Sequence, residues 1–244
     1  MFRQSSLFQF KNGDHTCVFY HSIDELMQVL NPYIADGLRR GERCFCAQKS
    51  EVLKRLIYDL RYLGIDPEKE IQRGALELRS EDDTYFPNRR FEPEAMMEML
   101  VRSIRAAHEQ GFRSFRSAGE LSWATEGRNL CDLVIGYEEL VDEYYPGKPA
   151  IGLCQYQIEK FPPEVLEAVV RAHRMKLVEA ANSCHSSLYI RNGHWAAEVV
   201  ADKTKGNPRY YYVVQSRRAQ EVAGWGVAPN FESATARIDQ LAGI

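Results

Sequence analysis

The chain has 244 residues, 45% of them hydrophobic and 27% charged, a make-up that supplies a sizeable core and excludes a disordered chain. Its 31 Lys and Arg against 34 Asp and Glu leave a formal charge of -3, which argues against holding nucleic acid mainly by neutralising phosphates. No apolar run approaches the roughly 20 residues of a membrane span. Residues 1–15 hold no apolar signal core, and six scattered cysteines do not form the dense framework of a secreted mini-protein, so a cytoplasmic protein is expected.

Residues 1–14 read as an N-terminal extension. Thr16, Cys17, Val18, Phe19 and Tyr20 form a β-branched and aromatic run, followed by Ser22 three residues before Glu25, a capping box that turns a strand directly into a helix. Leu26, Leu30, Tyr33, Ile34 and Leu38 share the face of that helix, and Gly37 and Gly41 mark its end. The unit repeats with a strand over 44–47 and a helix carrying Val52, Leu53, Leu56, Ile57, Leu60 and Leu63. Residues 74–78 read as a third strand, and 80–93 as a polar, aromatic loop with Tyr85, Phe86 and Phe91.

A third helix follows on Met96, Met97, Leu100, Val101, Ile104 and Ala107. Residues 112–116 give a fourth strand, Leu133 to Tyr144 a fourth helix, and 150–156 a fifth strand before a helix opened by Pro162 and Pro163. Strands alternating with helices predict an α/β fold: a mainly parallel sheet flanked by helices over 15–180, with a ligand site at the carboxyl ends of the strands. Residues 181–244 read as a small ββα appendage, with strands over 195–201 and 210–214 and a helix over 232–241.

The strand-to-helix connection His21, Ser22, Ile23, Asp24 contains neither the glycines nor the Lys of a phosphate-binding loop, and no such loop occurs elsewhere. His15 with Cys17, and Cys44 with Cys46, each put two potential ligands on one strand face, but not at the spacing of a zinc knuckle; small buried core residues are expected there, and no metal or cofactor. No nucleophile elbow is present, and nothing in the spacing of Cys154 and His173 makes them partners, so Cys154 is expected in packing and His173 on a helix surface. Glu138, Glu139, Asp142 and Glu143 read as a solvated acidic face, like Glu81, Asp82 and Asp83.

Arg116, Gly119, Glu120 and Trp123 fall together after the fourth strand, with Tyr20, His21, Gln48, Lys49, Gln155 and Tyr156 at other strand ends. The candidate ligand-binding residues are Tyr20, His21, Gln48, Lys49, Arg116, Glu120, Trp123 and Tyr156: aromatics for contact area, Arg116, Glu120 and Lys49 for polarity. No catalytic residue is expected.

On these residues, together with Gly64-Ile65-Asp66, Gly74, Leu76, Tyr85, Tyr137, Glu138, Leu153 and Cys154, the stretch 15–178 resembles the MEDS domain, the sensory domain of methanogen and methylotroph regulators of the dichloromethane-repressor type. That domain is similar to the KaiC-type branch of RecA-like ATPases. The resemblance implies a RecA/KaiC-like fold turned into a module that senses small hydrocarbon derivatives. Gln48 and Lys49 fall where such ATPases carry a catalytic glutamate pair, and Arg116 near their magnesium-binding Asp, which implies lost chemistry. The expected function is a non-enzymatic cytoplasmic sensor that binds a small, partly apolar ligand at the carboxyl rim and signals through a protein partner, with a homo-oligomer compatible. A nucleotide-binding protein with a weakened ATP site, and a protein-interaction module using the acidic helix and Tyr210, Tyr211 and Tyr212, remain as alternatives.

Overall fold

The capping box does what its chemistry requires. In a computed structural model that describes residues 10–173, 187–191, 195–202, 209–216 and 222–228, with 233, 236, 237 and 240, strand β1 (His15–Tyr20) turns at once into helix α1 (Ile23–Arg39). Ser22 Oγ accepts the Glu25 amide at 3.3 Å, and the Glu25 carboxylate accepts the His21 amide at 2.8 Å. Then follow β2 (Arg43–Ala47), α2 (Ser50–Tyr62), α3 (Pro67–Gln72), β3 (Leu76–Arg79), α4 (Glu81–Tyr85) and α5 (Pro93–Glu109). The unit closes with β4 (Phe115–Glu120), a 3₁₀ turn (Ser122–Glu126), α6 (Leu130–Tyr144), β5 (Ala150–Gln157) and α7 (Pro163–Ala172).

Two of these helices fall where the sequence reads as connection. Asp66 accepts the Lys69 amide at 3.1 Å to start α3, and Ser80 accepts the Asp83 amide at 3.1 Å to start α4. Both are single-turn pieces fixed by their caps and too short to show an apolar period.

The strands form one five-stranded sheet in the order β1-β5-β4-β2-β3, parallel throughout. Side chains alternate between its faces, so Arg116, Ala118 and Glu120 point one way from β4 and Phe115, Ser117 and Gly119 the other. Helix α1 covers the first face, where Arg116 Nη1 donates to the Tyr33 carbonyl at 2.9 Å. The second face carries α5, α6 and α7; there Ser117 Oγ meets Tyr145 Oη at 3.0 Å. The core is apolar on both sides, with Leu26, Leu30, Ile34 and Leu56 fully buried. Of the cysteines, Cys17, Cys44 and Cys46 are buried in strands as expected, while Cys184 lies outside the described residues.

The chain divides into two compact units, Met1–His173 and Arg174–Ile244. In the second, the two-stranded expectation is corrected to a four-stranded antiparallel sheet, β6 (Ser187–Arg191), β7 (Trp195–Asp202), β8 (Arg209–Ser216) and β9 (Val222–Ala228), in that order. Gly224 and Gly226 interrupt the apolar run of β9, and a register shift at Val214/Gln215 bends its pairing with β8, so the alternation that signals a strand is weak there. Of the helix expected over 232–241, residues 233, 236, 237 and 240 are helical and the others lie outside the described residues. Among the described residues, no helix is long and apolar enough to cross a membrane.

Candidate functional site

Strand ends bring three of the expected rim residues into contact. Tyr20 closes β1 and Glu120 closes β4, while Gln48 follows β2 directly. Tyr20 Oη donates to Glu120 Oε2 at 2.6 Å, Gln48 Nε2 donates to the same oxygen at 2.9 Å, and the Ser122 amide donates to Oε1 at 2.8 Å. Burial pushes the Glu120 carboxyl up, while the bonds from Ser122 and Tyr20 pull it down. Gln48 also reaches Gln155 Oε1 at 3.2 Å, and the buried Gln155 Nε2 has no hydrogen-bond partner among the described residues.

Around that cluster the remaining rim residues diverge. Lys49 is half-buried at its edge; burial lowers its ammonium but nearby Glu81 raises it further. Glu81 in turn is pushed up to about 7 by burial and by Glu120. His21 pairs with Glu159.

Trp123 is interior, not a wall open to ligand. Its indole donates to the Glu120 carbonyl at 2.8 Å, and its ring sits among Phe91, Tyr85 and Phe86 at centroid distances of 4.8, 4.9 and 4.9 Å. The aromatic loop expected over 80–93 folds onto it, which buries the large apolar area that a solvent-facing loop would expose.

Arg116 is at the other end of the sheet. The fourth strand runs Phe115–Glu120, not 112–116, so Arg116 is its second residue and lies at the amino end. Fully buried, its guanidinium donates to Glu42 Oε2 at 2.5 Å and Asp36 Oδ2 at 3.3 Å and lies over the Tyr33 ring at 4.8 Å. The carboxyl-end position that the ATPase comparison gave to Arg116 is therefore held by a carboxylate, Glu120.

Tyr156 points to the opposite face of the sheet from Glu120 and joins a cluster that the sequence did not assemble. His15 comes from β1, Cys154 from the neighbouring β5, Glu138 from α6, and His173 from the residue that follows α7. Their ligand atoms all lie within 4.8 Å of one another. His15 Nε2 is 2.9 Å from Glu138 Oε2 and 3.3 Å from Cys154 Sγ. Cys154 Sγ and His173 Nε2 are each 3.3 Å from the same carboxylate oxygen. Tyr156 Oη donates to Glu138 Oε1 at 2.5 Å, and His15 stacks on His173 at 4.2 Å.

Burial alone would raise the Glu138 carboxyl, but the imidazoles of His173 and His15 hold it well below the usual carboxylate range. Three expectations are corrected here. Glu138 and Asp142 are buried at 0% and 5% exposure, so of the four acidic residues expected on that face only Glu139 and Glu143 meet solvent. His173 is buried rather than on a surface, and it does share a site with Cys154. Residues on four separate elements converge through the crossover topology, which sequence spacing does not encode.

Beside this cluster a cavity of about 40 Å³ lies between the sheet and helices α5 and α6. His15 and Cys154 line it, with Leu100, Ser117, Tyr137 and Tyr145. Two strand glycines keep it open: a Cβ on Gly152 would come within 3.2 Å of both His15 Cδ2 and Tyr145 Cε1, and one on Gly119 would fall on the Tyr85 hydroxyl. Glycine inside a strand was the available sequence signal for this space.

The fold and the family follow from comparison with known proteins. The transcriptional repressor DcmR of Methylorubrum extorquens is 22% identical over 164 residues, 66% of this chain, and the matched stretch spans 58% of the repressor's length. An uncharacterised Pyrococcus horikoshii protein crystallised with an unknown peptide superimposes with a TM-score of 0.52 at 11% identity, covering 87% of this chain and 95% of that one. A KaiC-like protein of Pyrococcus horikoshii matches at a TM-score of 0.46 and 10% identity, covering 91% of this chain and 88% of that one. The pattern of the MEDS family, described as the methanogen/methylotroph DcmR sensory domain, matches residues 14–174, and the chain belongs to that family.

Proposed function

We propose that this MEDS domain is a non-enzymatic cytoplasmic sensor that takes a small, partly apolar molecule into the cavity between the sheet and helices α5 and α6, and that it passes occupancy to a partner in transcriptional or signalling control. The cavity carries the reading. One water needs about 10–15 Å³ measured with a water-sized probe, so about 40 Å³ accepts a ligand of a few heavy atoms. Its walls include Leu100, Met96, Phe115 and Val141, with the Ser117 and Tyr145 hydroxyls and the His15 imidazole among its polar groups, a lining suited to a short hydrocarbon bearing one polar or halogen substituent.

Two observations support a binding role over nucleotide hydrolysis. The first turn of α1, where a phosphate would sit, is occupied by its own Ser22 hydroxyl and Glu25 carboxylate, which repels an anion. Glu120, the carboxylate at the end of β4, is engaged by Tyr20, Gln48 and Ser122.

The test is a thermal-shift screen with alcohols, ketones and haloalkanes of one to four carbons. A ligand at about 100 times its Kd adds about 2.7 kcal/mol, and a chain of this size gains about 5–10 °C from that. Val141→Phe, which fills the cavity, should abolish the shift. No saturable shift from the panel, or a shift that survives Val141→Phe, refutes the reading.

A further inference from the structure

We infer that His15, Glu138, Cys154 and His173 form a site for one tetrahedral transition-metal ion of the zinc class. Zinc takes nitrogen and oxygen ligands at about 2.0–2.2 Å and thiolate at about 2.3 Å, and a tetrahedron of those radii has edges of roughly 3.2–3.7 Å. The separations between donor atoms are 2.9 Å for His15 Nε2 to Glu138 Oε2 and 3.3 Å for His15 Nε2 to Cys154 Sγ, Cys154 Sγ to Glu138 Oε2 and His173 Nε2 to Glu138 Oε2. These four separations lie within a few tenths of an ångström of such edges, and the two others, from His173 Nε2 to His15 and to Cys154, are no more than 4.8 Å, so His173 closes on the ion by up to about 1 Å.

The surroundings meet the other requirements of such a site. His173 Nδ1 bonds the Val169 carbonyl at 2.7 Å, which fixes the proton on that nitrogen and turns the lone pair of Nε2 inward. Among the described residues that inward Nε2 makes no hydrogen bond of ordinary geometry and faces Glu138 Oε2 at 3.3 Å, although His173 is only 2% exposed. In the neutral ring, that Nε2 turns a lone pair toward a carboxylate oxygen 3.3 Å away, a contact relieved either by a second ring proton or by a cation between the two atoms. Tyr156 Oη holds the other oxygen of Glu138, and Asp142 lies 3.6 Å from His15 Nδ1, so the ring and the carboxylate are both oriented from outside.

Charge closes as well. A divalent ion with one thiolate, one carboxylate and two neutral imidazoles is a neutral unit, the least costly form of buried charge. Binding displaces the Cys154 thiol proton to solvent and replaces the contacts that Cys154 Sγ and His15 Nε2 make with Glu138 Oε2; the proton on His15 Nε2 passes to solvent or is replaced by one on Nδ1, which faces Asp142.

The test uses the full chain, stripped with a chelator and titrated with cobalt(II) and then zinc(II). One ion per chain is expected, with the visible bands of tetrahedral cobalt and a near-ultraviolet thiolate band that Cys154→Ser removes and Cys131→Ser keeps. Tyr156→Phe should weaken binding by about 10- to 100-fold, because it removes only the outer contact to Glu138. X-ray absorption of the zinc-loaded wild-type chain should give one sulfur among four ligands, which decides the matter even where Cys154→Ser does not fold. Absence of a stoichiometric ion, a band that survives Cys154→Ser, or a shell with no sulfur or with more than one overturns the assignment. The ligand screen reads the cavity separately, so failure of either result leaves the other standing.

Discussion

Replacing Arg116 with Met removes a cation from the interior while keeping most of the side-chain volume. The guanidinium is fully buried; Glu42, at 6% side-chain exposure, holds it at 2.5 Å, whereas Asp36, at 27%, also has Arg40 at 2.9 Å. The loss therefore strands Glu42 in particular, and removing one partner of a buried ion pair costs about 3–5 kcal/mol. With a urea slope of about 2 kcal/mol/M the midpoint should fall by about 1.5–2.5 M at unchanged slope. The second substitution, Glu42→Gln on top of Arg116→Met, removes the stranded charge and should recover a large part of the loss. Urea denaturation followed by far-ultraviolet circular dichroism measures both. A loss under about 1 kcal/mol for Arg116→Met, or a double variant no more stable than the single one, refutes the assignment of Arg116 as a buried structural ion.

Other consequences are as direct. Glu81 is raised from 4.5 to about 7 in the fold, so its contribution to stability is full below about 4.5 and is lost as pH rises through 7; Glu81→Gln should remove that part of the pH dependence in denaturation curves taken across pH 4 to 8. A Cβ on Gly37 would lie 2.7 Å from Cys44 Sγ and 2.8 Å from Arg116 Cδ, so Gly37→Ala should cost about 1–3 kcal/mol in the same assay, and an unchanged midpoint would show that the α1 to sheet contact is looser than its geometry.

The order of strands and longer helices in the first unit was legible because each carries its own pattern: Leu26, Leu30, Tyr33, Ile34 and Leu38 on one face of α1, and mainly apolar runs in β1 and β5. Strand ends were legible only to within a few residues, and for a site that error is decisive. A shift of three residues in the start of the fourth strand moved Arg116 from the carboxyl rim to the amino end and turned a presumed ligand selector into the partner of Glu42. Tyr20 and Gln48 lie at strand ends that the sequence marked well, whereas Glu120 reaches the carboxyl end because β4 runs four residues beyond its expected end. Trp123 read as exposed because nothing in residues 80–93 announces that Tyr85, Phe86 and Phe91 fold back to enclose it.

The larger gap concerns what a crossover fold brings together. His15 and Cys154 are 139 positions apart in the chain, yet β1 and β5 are neighbours in the sheet, and the register that sets Cys17 against Cys154 puts His15 one pleat away on the same face. Helix α6 then presents Glu138 and Asp142 to that face and Tyr137 and Val141 to the cavity, because residues three and four apart share a helix side. An acidic quartet read along the sequence is a charged surface; read around the helix, half of it faces inward. One helix therefore touches both the small apolar chamber, through Tyr137 and Val141, and the His, Cys and Glu cluster, through Glu138.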